Sequence, residues 1–175
     1  MMTKPRLVFV FCAILLYGSA SALPQTASDT DKHFVRDAIE GGNAEVELGQ
    51  LAQKKASSDD ITEFVQRMVG DHTKLGDQMQ SVVERIGLLP PFGTPVAGKV
   101  LKAKLDVLSC DAFDKAYIKA MVEAHRANLK AFQDEATDGT DQGVKDAAMQ
   151  DVDIVQAHLQ MAERIAKSHN VDVDN

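Results

Sequence analysis

An all-α fold, a four-helix bundle with a crossover link and a short extra helix, is what this sequence predicts. Three observations predict it. Four long stretches repeat apolar residues at alternating steps of three and four, no stretch shows convincing strand alternation, and a Pro-rich link separates the second stretch from the third. The first helix runs from about Asp31 to Lys55 on the stripe Phe34, Ala38, Gly41, Glu45, Leu48 and Ala52. The second begins at Ser57 or Ser58, where Ser57 and Asp60 have capping-box spacing with Asp in place of Glu. Its stripe is Ile61, Phe64 or Val65, Met68, His72, Leu75, Met79, Val82 and Ile86, and Gly87 supplies the stop. Leu88 to Gly98 holds Pro90, Pro91 and Pro95, so it cannot continue a helix and reads as an extended crossover, followed by a short helix from about Val96 to Leu108. Asp111 is expected to cap the next long helix, which turns Phe113, Tyr117, Met121, His125, Asn128 and Phe132 inward. The loop Thr137-Asp138-Gly139-Thr140 ends it. Asp141 starts the last helix, whose inward face is Val144, Ala148, Asp151, Val155, His158, Ala162 and Ile165.

The 175 residues divide into a signal peptide over 1–22 and one domain over 23–175. Met1 to Arg6 is a basic start, Leu7 to Tyr17 an apolar run, and Ala20-Ser21-Ala22 a small-x-small cleavage site. The run is too short to span roughly 30 Å of hydrocarbon and no second one follows, so no membrane span is expected after cleavage near Ala22. The expected destination is the periplasm or beyond the cell. Cys12 lies behind Phe11, where a lipoprotein signal needs a small residue, and Cys110 is then left alone without an internal disulfide partner. A bridge between two copies through Cys110 keeps a homo-oligomer open, and no protein partner can be read. The formal charge of −7 becomes −9 once cleavage removes Lys4 and Arg6 and no acid, which excludes electrostatic capture of nucleic acid or anionic lipid. With no Trp and two Tyr, there is little aromatic surface on which to stack sugars or bases.

A weak internal repeat carries the functional information. Phe64 to His72 parallels Tyr117 to His125, and Ile154-Val155-Gln156-Ala157-His158 echoes the end of both. Because i and i+4 share a helix face, each His falls on the buried stripe. Glu45 lies inward on the first helix, beside Gly42, Gly49 and Ala56, which recur every seven residues as a seam of small side chains. An inward Glu is costly unless paired, hydrogen-bonded or bound to a metal. Glu45, His72, His125 and His158 make a three-imidazole, one-carboxylate set suited to one transition-metal ion, Zn, Mn, Fe or Cu, with Asp151 two turns before His158 as a further ligand or an orienting partner. The structural alternative makes the same histidines neutral core residues and Glu45 their acceptor. Periodicity fixes the direction of each side chain but not its height along the bundle. His33 and His169, near helix ends, are expected to face solvent.

Other patterns dissolve on inspection. Gly93 to Val100 nearly spells a phosphate-binding loop but ends in Val where a hydroxyl would hold Mg²⁺, and no strand precedes it. Lys99, Lys102 and Lys104 read as a solvated face. Met68, Met79, Met121, Met149 and Met161 at helical spacing read as core filling before copper handling.

Gly42-x-x-Glu45-Val46-x-Leu48-Gly49-x-Leu51-Ala52-x-x-Lys55-Ala56, then Met68-Val69-x-Asp71-His72, then Phe113-Asp114-x-Ala116-Tyr117 leading to Met121-Val122-x-x-His125, and His158-Leu159, resemble an exported bacterial family of ferritin-like proteins. Its members are of unknown function and are often labelled periplasmic or outer-membrane proteins. The resemblance covers nearly all of the mature chain and implies a ferritin-like bundle, with no activity to carry over. Ferritin-like di-iron enzymes place Glu three residues before His, whereas here Val69, Val122 and Val155 stand there, which tells against a di-iron oxidase site. The expectation is a non-enzymatic exported bundle that binds a metal ion. A structural or partner-binding envelope protein and a metal-dependent enzyme are the alternatives.

Overall fold

A computed structural model describes residues 26–89 and 93–173; the expected signal peptide over 1–22 with Cys12, and Pro90 and Pro91 of the link, lie outside them. The periodic stretches form α1 (Asp29–Lys55), α2 (Asp59–Ile86), α4 (Cys110–Asp138) and α5 (Gln142–Ser168), and the short helix is α3 (Val96–Asp106). Gly87 closes α2 in the left-handed region at φ 66°, where a side chain would be strained. The Asp141 side chain caps α5 by accepting from the Val144 N–H. Of the two expected starts of α2, Ser58 is the N-cap, without a side-chain cap bond, and the expected Ser57–Asp60 capping box does not form; the Ser57 N–H and hydroxyl instead donate to the buried Asp114 carboxylate, at 3.1 and 2.7 Å. The buried Asp114 carboxylate takes the Ser57 N–H that Asp60 would have accepted in a capping box, and turns the Ser57 hydroxyl into a donor. The cap of α4 is Ser109, and Asp111 lies inside the first turn.

Contacts between helix ends fix the topology. Phe34 meets Phe132 edge-on at 5.0 Å, Ser57 meets Asp114, and Arg85 holds Asp141 through two bonds of 2.9 and 2.7 Å. Thus α1 runs antiparallel to α4 and α2 antiparallel to α5. With the α1–α2 and α4–α5 hairpins these pairs close a four-helix ring. The link carries the chain back to the end where α2 begins, so α2 and α4 run the same way on one diagonal. Along the way α3 lies on α1, tied by Lys102 to Glu47 at 2.8 Å and by Leu105, buried in the core. Among the described residues no helix is long and apolar enough to cross a membrane.

The interior has two apolar clusters. One is built around Phe64, Phe113, Tyr117 and Ile118, the other around Val35, Met79, Val83, Phe132 and Val144. Gly49 lets α1 approach α2 closely, since a Cβ there would come within 2.5 Å of a Val69 methyl. His72, His125 and His158 belong to neither cluster.

At the end where α1 starts, Asp31 is fully buried and accepts from the Ser28 N–H, the Thr140 N–H and hydroxyl, and the Asp141 N–H. Burial opposes its charge, but these donors hold it well below the usual carboxylate range. Burial, with the neighbouring Asp31, pushes Glu135 up to about 7, so below neutral pH Glu135 keeps a proton that it donates to Asp31. Between its ordinary value of 4.5 and about 7, the folded chain therefore binds a proton that the unfolded chain has lost. Stability from this group is full below that window and falls as pH rises through it. Across pH 4.5 to 7.5 the urea midpoint of Glu135→Gln should rise relative to that of the natural chain; a constant difference between the two would remove the shared proton.

Candidate metal centre

Met68 and His72 on α2, Met121 and His125 on α4, and Val155 and His158 on α5 repeat one local design, an apolar side chain that buries the face and a His one turn on. The three helices bring these histidines to one height. Ring centroids stand 5.8 Å apart for His72 and His125, 5.3 Å for His72 and His158, and 5.6 Å for His125 and His158. One ligand nitrogen from each ring lies within 4.8 Å of those of the other two. His125 and His158 are wholly buried and His72 nearly so.

Hydrogen bonds tie down the outer nitrogens of two rings, and that of the third lies beside a carboxyl group. His125 Nδ1 lies 2.9 Å from the Met121 carbonyl, which can only accept, so Nδ1 carries the proton and Nε2 an electron pair. His158 Nε2 lies 3.0 Å from the Asp71 carboxylate. Burial opposes the Asp71 charge, but the bond to His158 and the charges of Lys74 and Arg67 keep it below the usual range, so Asp71 accepts and His158 Nδ1 is the free electron pair. His72 Nδ1 lies 3.1 Å from Glu45 Oε2. His72 Nε2, His125 Nε2 and His158 Nδ1 are each buried without a partner. Each such orphan costs about 1–3 kcal/mol, and three of them belong to one cluster.

Burial also removes charge. It lowers His72 to about 3, helped by the other two rings, and His125 to about 4 against the Met121 bond; it lowers His158 despite Asp71. Burial alone raises Glu45 to about 8. The cluster therefore presents three neutral imidazoles, the form in which a ring nitrogen can ligate a metal.

Of the five residues expected at the site, three meet. Glu45 stands on the outer side of two rings, 3.1 Å from His72 Nδ1 and 3.6 Å from His125 Nδ1, with Asn128 Nδ2 donating to its other oxygen at 3.2 Å. Seven residues of helix, about 10 Å along the axis, separate Asp151 from His158; Asp151 is buried, raised to about 6 by that burial, and lines a small cavity with Glu45 and His72. Gly42 keeps space open there, since the nearest atom to a Cβ would be His72 Nδ1 at 3.9 Å. Asp71 and Asn128 were given no role by the sequence reading, although the adjacent pair Asp71-His72 marks one of them. As α2 turns, Asp71 points toward α5 while His72 points to the axis. His33 is exposed as expected, but His169 is half-buried and bonded to Asp60 at 3.0 Å, pinning the end of α5 to the start of α2.

A family model described as a domain of unknown function (DUF4142) matches residues 18–165. Among solved structures the chain is similar to a DUF305 fragment from Deinococcus radiodurans, at 14% identity and a TM-score of 0.71, over 82% of this chain and 99% of that one. It is equally similar to a "putative secreted protein DUF305" from Streptomyces coelicolor, at 14% identity and 0.71, over 83% and 96%. These likenesses bear on the fold. No curated protein is matched.

Proposed function

We propose that this chain, which belongs to the DUF4142 family of domains of unknown function, is an exported bundle of ferritin-like architecture that holds one transition-metal ion at His72, His125 and His158. One observation carries the reading: three buried imidazole nitrogens in one cluster lack any partner, while the second nitrogen of each ring faces Met121, Asp71 or Glu45. Orienting groups on the far nitrogen are the usual companions of metal-bound histidine. Zn, Fe and Cu suit imidazole best, while Mn favours oxygen donors. Glu45 and Asp71 act as orienting partners, and Asp151 stands apart from the three nitrogens. Export is supported by the signal-like residues 1–22 and by the description of the Streptomyces neighbour.

A bundle with purely structural histidines is the competing reading. It leaves three buried ring nitrogens without partners, where apolar side chains of similar size would pack at no such cost. Untagged protein stripped with a chelator and titrated with Zn²⁺, Mn²⁺, Fe²⁺ and Cu²⁺ should take up about one ion per chain and melt at a higher temperature when loaded. No uptake of any of the four would sink the metal reading.

A further inference from the structure

A buried site needs a way in. Between α1 and α4 lies a groove of about 860 Å³ that reaches inward to Ala38, Asn128 and Phe132. The same three side chains wall a second cavity of about 40 Å³, bounded further in by Gly42, Glu45 and His72. That space holds two or three waters at most, at roughly 10–15 Å³ each. The two spaces are thus separated by a wall one side chain thick. Asn128 is the polar member of that wall, and its amide donates to Glu45, the carboxyl group that touches two of the rings. Phe132 is held by its edge contact with Phe34, and Ala38 has no side chain to move.

The outer end of the groove is acidic. Asp37, Asp134 and Asp138 are exposed there against one lysine, Lys130, a balance that draws cations. A second groove between α2 and α5 meets the small cavity at Met79 and Asp151. It is about 270 Å³, a third of the size, and none of its wall residues bonds to Glu45.

Building on the metal-site reading above, we propose that the ion enters and leaves through the α1–α4 groove, with Asn128 as the side chain that swings aside at its inner end. A cation shedding water needs oxygen along its path, and Glu45 supplies it just behind the Asn128 wall and before the rings. Both directions of exchange then cross one barrier, so a change at the wall alters entry and exit together and leaves affinity alone.

The test follows Co²⁺ entering the purified, chelator-stripped chain by its visible absorption in stopped flow, and its loss to excess EDTA. Ala38→Leu, which fills the inner end of the groove, should slow both rates at least tenfold with Kd changed less than twofold. Asn128→Ala, which thins the wall and overfills nothing, should speed both. Ala147→Leu in the α2–α5 groove should change neither. Natural rates in both Ala38→Leu and Asn128→Ala, or slowing in Ala147→Leu instead, would overturn the route, as would a Kd shift without matched rates. If the natural chain takes up no Co²⁺ at all, the site itself fails and the route with it.

Discussion

An Asp31→Ala variant is expected to lose about 3–5 kcal/mol of stability, a fall in Tm on the order of 10 °C for a domain of this size. The Asp31 carboxylate is the common acceptor for Ser28, Thr140 and Asp141, so one substitution removes half of the α1 capping box and the fastening of the α4–α5 turn together. Those N–H groups would be left in a region where the carboxylate itself has no exposure. Glu135 would lose its partner as well and remain buried with an unpaired proton. Asp31→Asn keeps the shape and some of the bonds, so it should fall between the two. Urea denaturation at pH 7 measures both, and a loss under 1 kcal/mol in Asp31→Ala would show that water replaces the carboxylate without cost.

The second large effect concerns binding and separates a ligand from its support. His125→Leu should reduce bound ion from about one per chain to under a tenth and abolish the rise in Tm on loading. The metal-free variant should nevertheless be no less stable than the metal-free natural chain, because an apolar group of similar size replaces a buried nitrogen without a partner. A structural histidine predicts the reverse, with stability lost and nothing else changed. Asp71→Asn leaves all three ligands in place but weakens the acceptor on His158, so about one ion should still bind with affinity lowered roughly 10–100-fold. Elemental analysis and competitive titration distinguish the two.

Much of the fold was legible because helical periodicity reports burial directly. Every residue placed on the inward stripe of α5, from Val144 to Ile165, is buried, and Gly87 stops α2 where its conformational freedom required. What periodicity lacks is height. The heights are set by Ser57 on Asp114, Arg85 on Asp141 and Phe34 on Phe132, pairs more than fifty residues apart that share no local pattern. The three histidines could thus be read as inward but not as neighbours. Glu45 was read as inward too, and only the structure places it behind two rings. The start of α1 was legible and overlooked: Ser28 and Asp31 have the spacing of a capping box and form one, while the similar Ser57 and Asp60 do not. Local spacing could not reveal that Asp114 would claim Ser57.

The bundle is two hairpins, α1–α2 and α4–α5, joined through the backbone by the crossover alone. His72 belongs to the first, His125 and His158 to the second, so the cluster straddles the seam. Apart from Cys12 the chain has one cysteine, Cys110, which is exposed and free, so no disulfide within 23–175 can rivet that seam. An ion bound there would have to be torn from one hairpin before the halves could part. Its main effect would be on lifetime: the folded chain would open more rarely, and a protease waiting for it to open would wait longer.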